Sequence, residues 1–200
     1  NSVFIYEDRL SKHTLSSTHP MKPIRLKYTY DLLNSYRAFD NKDNALLAGR
    51  SVTDKEILSY HSEEYLRAVQ ALGRGDDSVN PASFNFDYGD NPFYEGMDEA
   101  ALLSTGATMA AVDVLLSGKT TSAFNISGGL HHAMPDHAYG FCVFNDPVIA
   151  INAFLKCDLK VAYVDIDCHH GDGVQLAYYD TDRVLTISMH ESGSYLFPGT

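Results

Sequence analysis

The chain has 200 residues, 44% of them hydrophobic, enough for one globular domain with a sizeable core and no Pro/Gly/Ser linker to divide it. Its formal charge of −11 argues against a nucleic-acid-binding surface; it fits a soluble protein or one with cationic partners. Cys142, Cys157 and Cys168 form no Cys-x-x-Cys pair, which disfavours a disulfide framework or a thiolate zinc site and fits a reducing cytoplasm.

The segment Asn1 to Glu7 lacks the basic start and apolar run of a signal peptide, and its missing initiator Met suggests trimming. Val3 to Tyr6 reads as a first strand. An irregular stretch follows to Lys22, and a helix is expected from near Pro23, since proline suits a first turn. Leu26, Tyr30, Leu33 and Tyr36 recur at helical spacing and predict one buried face. Thr53-Asp54-Lys55-Glu56 fits a capping box, and Ser62 can cap a helix from about Glu63 to Leu72. Gly73 to Pro92, rich in Gly, Asp, Asn and Ser, is longer than most structureless loops and is expected to be functional or disordered.

A long helix over Glu95 to Leu116, ended by Gly118, precedes a short strand over Ser122 to Ile126. A helix over Asp146 to Lys156, a strand from Val161, a helix over Val174 to Tyr179 and a strand over Val184 to Ser188 complete the chain. No run is expected to span a membrane. Strands alternating with helices predict an α/β fold with a mainly parallel sheet, whose ligands collect at the carboxyl ends of strands.

Two stretches carry chemistry at such ends. In Val161 to Gly173 an apolar run turns abruptly into acids and histidines. Strand alternation puts Asp165, Asp167 and His169 on one face, with Ile166, Cys168 and His170 on the other. Asp167 and His169 are then the natural ligand pair for Zn2+ or another first-row divalent ion. The second stretch is Gly128-Gly129-Leu130-His131-His132, whose glycines let two imidazoles approach one cleft. Asp165 and Asp172 are at hand to fix their tautomers. A tandem His pair alone is more often a loop or core feature; the joint occurrence of both stretches favours chemistry, because buried acids and histidines are costly unless paired or metal-bound. His170 reads as a hydrogen-bonded core residue and His190 as a neighbour of the site. His13, His61 and His137 receive no role, and Cys142 and Cys168 read as buried small hydrophobes.

Several motifs in order then resemble one family. Gly128 to Ala133, Gly140-Phe141-Cys142 with Asn145-Asp146, Asp165 to Gly173, and Phe197-Pro198-Gly199-Thr200 are similar to those of the zinc-dependent histone deacetylases. His19 to Arg25 and Tyr60 to Tyr65 resemble earlier motifs of that family, and Gly89 to Pro92 with Ser192 to Phe197 resemble its bacterial acetoin-utilization branch. The resemblance implies a three-layer αβα fold of the arginase/deacetylase type. It makes Asp167 and His169 ligands of Zn2+, with Fe2+ as the alternative, and His131 and His132 a proton-transfer pair backed by Asp165 and Asp172. Asp90 would hold the substrate backbone, Phe141 and Phe197 would flank the acyl-lysine stem, and Arg25 would line the cavity through which acetate leaves. Structural monovalent cations, K+ in particular, would take Asp165, Asp167, His169, Ser188 and Met189 at one site and Tyr178, Thr181 and Val184 at another.

The implied activity is removal of acetyl or other acyl groups from protein lysines, with acetyl-CoA synthetase as a bacterial target and no nucleic-acid or membrane partner. The family's second aspartate ligand and its tyrosine in a Gly-rich loop lie downstream of the Phe-Pro-Gly-Thr motif. Residues 1–200 are therefore expected to form the amino-terminal part of a single deacetylase domain, catalytically incomplete alone. An acetylpolyamine amidohydrolase and a non-catalytic acyl-lysine or metal-binding module are the rival expectations.

Overall fold

The computed structural model describes residues 1–12, 15, 17–87 and 89–200. His13, given no role above, lies outside them. Strands and helices alternate along the described residues as β1 (Ser2–Ile5), α1 (Ile24–Ser35), β2 (Asn44–Leu47), α2 (Asp54–Ile57), α3 (Glu63–Gly73), α4 (Met97–Leu116), β3 (Ser122–Asn125), α5 (Asp146–Lys156), β4 (Val161–Asp165), α6 (Asp172–Ala177) and β5 (Val184–Ser188). Two 3-10 turns, Asp8–Ser11 and Pro81–Phe84, interrupt the connections.

All strand pairings are parallel, as the alternation predicts. They form two ladders rather than one sheet, in the orders β2-β1-β3 and β4-β5. Neither Phe124 on β3 nor Val164 on β4 is covered; they are 59% and 55% exposed. These two strands flank a common cavity of about 860 Å³, lined by Phe124 and Ile126 on one side and by Tyr163 and Val164 on the other. β2 escapes the sequence reading because Asn-Ala-Leu-Leu is short and offers no β-branched or aromatic residue.

Helix boundaries follow local signals closely. Thr53 and Glu56 form the expected reciprocal capping box at α2, and the Ser62 side chain accepts from Tyr65 N at the start of α3. Leu26 of α1 is buried and Tyr30 and Leu33 pack beside it, but Tyr36 is 76% exposed because it caps the helix end instead of extending its buried face. In the described residues of the 73–92 stretch, the 3-10 turn, Phe86 in the core and a bond from Asp87 N to Asn91 O at 2.9 Å fix the chain.

Helix α4 organises the interior, with Met97, Ala101, Met109 and Val112 packed in one core cluster and Leu103, Ala107 and Ala110 in another. Among the described residues it is the one helix long and apolar enough to cross a bilayer, by length and composition alone, and its residues are packed into two core clusters. Its packing against α3, α5 and β3 is that of a core helix.

Candidate active site

Two buried residues behind the paired histidines fix their turn. Asp146, at the start of α5, accepts Gly129 N at 3.1 Å, Leu130 N at 2.9 Å and the Thr108 hydroxyl at 2.5 Å. Burial pushes its carboxyl up, and these donors hold it back only in part. Asn145 caps α5 through Val148 N and donates Nδ2 to His131 O and Ala133 O, both at 3.0 Å. A side chain at Gly128 would collide with Asp146 and Thr108, so glycine is required where the turn crosses α4. Asn145 and Asp146 lie in a motif that discloses no role for them in sequence, where an acid following a helix-capping Asn is the only local signal.

On that support His131 and His132 stand side by side, ring centroids 4.0 Å apart and both buried. Each Nδ1 meets its own buried carboxylate: His131 meets Asp165 Oδ2 at 2.6 Å, and His132 meets Asp172 Oδ1 at 2.7 Å. The pairing matches the sequence expectation, with β4 delivering Asp165 and α6 delivering Asp172. Burial alone would lower the His131 pKa, but the Asp165 carboxylate outweighs it and the net shift is upward. Asp165 is pulled down to about 2: His131, the Tyr163 hydroxyl at 2.6 Å and the Asp167 amide together overcome burial. Tyr163, also unassigned from the sequence, thus shares the oxygen that holds His131. Its own pKa is raised, first by burial and then by that carboxylate.

Asp167 and His169 come together beside this pair, though not by strand alternation. β4 ends at Asp165, and a turn follows in which His169 N donates to Asp167 Oδ1 at 2.8 Å while His169 Nδ1 lies 2.8 Å from the same oxygen. Burial raises the Asp167 carboxyl, and the His169 amide and ring more than reverse it, so its pKa lies below the ordinary carboxylate value. The His169 ring centroid is 5.9 Å from that of His132. A carboxylate and an imidazole converging at the mouth of a cavity fit a divalent first-row cation, with space left for further ligands. Cys168 is exposed, not a buried hydrophobe, because the turn abolishes the alternation that placed it inward.

Asp90, Phe141, Phe197 and Arg25 all line the same cavity. Phe197 packs edge-on to His132 at 5.0 Å between ring centroids. Phe141 has φ +70°, held by its amide bonding Asn91 Oδ1 at 3.0 Å. Buried His19 bridges them, its Nε2 3.3 Å from Asp90 O and its ring 4.6 Å from Phe141. Arg25 also borders a smaller cavity of about 100 Å³ beneath Phe141 and Leu130.

The first expected monovalent-cation set gathers where Asp165 and Ser188 are in register and Met189 N donates to Asp165 O at 2.9 Å, next to Asp167 and His169. In the second, Thr181 N donates to Tyr178 O at 3.3 Å, and Tyr178 and Val184 share a core cluster. His170 is buried, with Thr200 Oγ1 and Gln175 Oε1 at 2.8 and 2.9 Å, and His190 stacks on it at 4.5 Å while bonding Ser188. His137 is bonded to neighbouring Asp136 on the surface. His61, expected to be an idle cap or loop residue, is instead buried and accepts Asn145 N at 3.0 Å through Nε2, tying α5 to the end of α2. Burial lowers its pKa to about 4.

Residues 19–200 match the histone deacetylase domain. The chain is 41% identical to the acetoin utilization protein AcuC of Bacillus subtilis (strain 168) over 100% of its own length and 52% of that protein, and 38% identical to histone deacetylase 1 of Homo sapiens over 98% of its length and 41% of that protein. The crystal structure of a histone deacetylase (HDAC) homologue from Aquifex aeolicus superposes with a TM-score of 0.89 at 33% identity, covering 98% of this chain and 53% of that one. An HDAC homologue complexed with SAHA superposes at 0.87 over 98% and 52% of the two chains. The chain thus spans about half the length of the relatives it matches, and its α/β architecture is of the arginase/deacetylase type. With the domain match covering nearly all of it, the chain belongs to the histone deacetylase family.

Proposed function

We propose that the protein containing this chain hydrolyses acyl-lysine amides, acetyl-lysine first among them, with a divalent metal held in part by Asp167 and His169. The observation that carries this reading is the buried pair His131 and His132, each on its own carboxylate, facing one cavity with Asp167 and His169. Zn2+, or Fe2+ in its place, would supply Lewis-acid polarisation of the acyl carbonyl and of water. Because each Nδ1 is tied to a carboxylate, Nε2 is the atom free to exchange protons. His132 takes a proton from water as the new C–O bond forms. The histidine pair then returns a proton to the departing lysine nitrogen as the C–N bond breaks. The products are a carboxylate and a free lysine amine.

Asp90 at the rim is assigned to the substrate backbone, Phe141 and Phe197 to the lysine stem, and Arg25 to the acetate path. K+ is assigned to the two carbonyl-rich sets around Ser188 and Tyr178. Unpaired Cys142, Cys157 and Cys168 suit a reducing cytoplasm. Acetyl-CoA synthetase acetylated on lysine is the first protein target to assay.

The net charge of −11 favours one second reading, a small cationic substrate such as an acetylpolyamine. Competition in the full-length protein separates the two: an acetyl-lysine peptide should be hydrolysed and should be inhibited little by equimolar acetylspermidine. Preferential hydrolysis of acetylspermidine would transfer the assignment to the polyamine. Hydrolysis of neither would leave a binding module.

A further inference from the structure

We propose that His19 is a positioning residue for substrate recognition, holding the Asp90 rim and the Phe141 wall of the large cavity in one arrangement. The role rests on the acyl-lysine reading above and adds to it the residue that sets the binding rim. Asp90 and Phe141 line the large cavity and Met21 lines both cavities, while His19, 4% exposed, lies behind these walls. It therefore acts on a substrate only through its neighbours. Met21 N donates to His19 Nδ1 at 3.1 Å, so the ring carries its proton at Nε2. Nε2 in turn donates to Asp90 O, 3.3 Å away and 71 residues along the chain. The same ring meets Phe141 edge-on, with centroids 4.6 Å apart and planes at 70°.

Phe141 N donates to Oδ1 of Asn91, the residue after Asp90, which closes a ring of contacts from His19 through Asp90, Asn91 and Phe141 back to His19. Both ends of that ring need bracing. Residues 90 and 91 belong to no strand or helix, and Phe141 sits at φ +70°, where a bulky side chain is disfavoured. Imidazole suits the place because it puts an acceptor and a donor on one rigid ring that spans Met21 and Asp90. A substrate would touch Asp90 and Phe141 alike before and during the reaction, so displacing them weakens binding and leaves proton transfer at His131 and His132 intact. The effect of losing His19 then falls on KM and spares kcat.

The test is steady-state hydrolysis of an acetyl-lysine peptide by the full-length protein carrying His19→Asn or His19→Gln. Asn keeps an acceptor for Met21 N but is too short to reach Asp90 O, whereas Gln can place a donor there. We expect His19→Asn to raise KM roughly 5- to 30-fold, the range for one buried hydrogen bond, with kcat and metal content near native. His19→Gln should stay close to the native KM. If only one variant folds, its KM alone decides. In an Asp90→Ala background, where the carboxylate being placed is gone, His19→Asn should change KM far less. An unchanged KM in His19→Asn, whatever happens to kcat or the melting temperature, would make His19 a structural residue only and overturn the inference. Equal effects with and without Asp90→Ala, or a KM in His19→Gln raised as far as in His19→Asn, would overturn it too. Absence of peptide turnover by the native protein would overturn the acyl-lysine reading itself, and the inference with it.

Discussion

His61 carries a pH dependence that its sequence context conceals. Its ring is neutral in the native state because burial lowers its pKa from the ordinary 6.5 to about 4. Below pH 6.5 the unfolded chain takes up the proton first, so stability is full above that pH and declines as pH falls toward 4. The decline from this residue amounts to about 3 kcal/mol. His61→Gln keeps an acceptor for Asn145 N without a titrating ring, and urea unfolding across pH 4 to 7 should show a shallower slope in that variant. Equal slopes would contradict the assignment. The contrast with His131 and His132 shows what single residues disclose. Those two announce themselves by two preceding glycines and by acids at later strand ends. His61 sits between an aromatic and a helix-capping Ser, a pattern shared by exposed histidines, and only the packing of Tyr65 and Phe144 around it reveals burial. Cys168 was misplaced for a different reason: alternation is a property of strands, and β4 stops three residues earlier.

At the level of elements, the site depends on how closely α6 approaches the histidine turn. A Cβ on Gly173 would stand 2.5 Å from His131 O and 2.8 Å from Asn145 Nδ2. Gly173→Ala should therefore push α6 and its Asp172 away from His132, at a cost of about 1 to 3 kcal/mol. Thermal unfolding and peptide turnover should both fall, and an unchanged melting temperature would refute the close approach. Asn145→Ala removes a helix cap and strands two buried carbonyls, with an expected loss of roughly 2 to 4 kcal/mol by chemical denaturation. Most of these elements were readable because their signals are local: Thr53 and Glu56, Ser62, Gly118, and the apolar runs of β4 and β5. Unreadable were β2, with no strand-favouring side chains, and the entry of Phe86 from the 73–92 stretch into the core. Asp146 needed the fold as well, since Gly129 and Leu130 meet it only across the turn.

Across the whole molecule, alternation of strands and helices correctly implied parallel pairing but could not say which strands are neighbours. β3 and β4 present apolar side chains on either side of the large cavity, and Ile166 beyond β4 is 76% exposed. Such surface is rarely left open in a stable monomer. Residues 1–200 expressed alone should bind a hydrophobic dye and self-associate more than the full-length protein; equal dye binding and a monodisperse monomer would contradict this. His131, His132, Asp167, His169 and the rim residues line one cavity, so the proposed chemistry belongs to the molecule and not to any one motif. The most direct test of that chemistry is the turnover of an acetyl-lysine peptide by full-length protein carrying His132→Ala. We expect kcat/KM to fall by roughly 10² to 10⁴-fold, the usual worth of a positioned proton-transfer group, with metal content unchanged. Turnover equal to the native protein's would contradict the assignment of His132 and, with it, the account of the site.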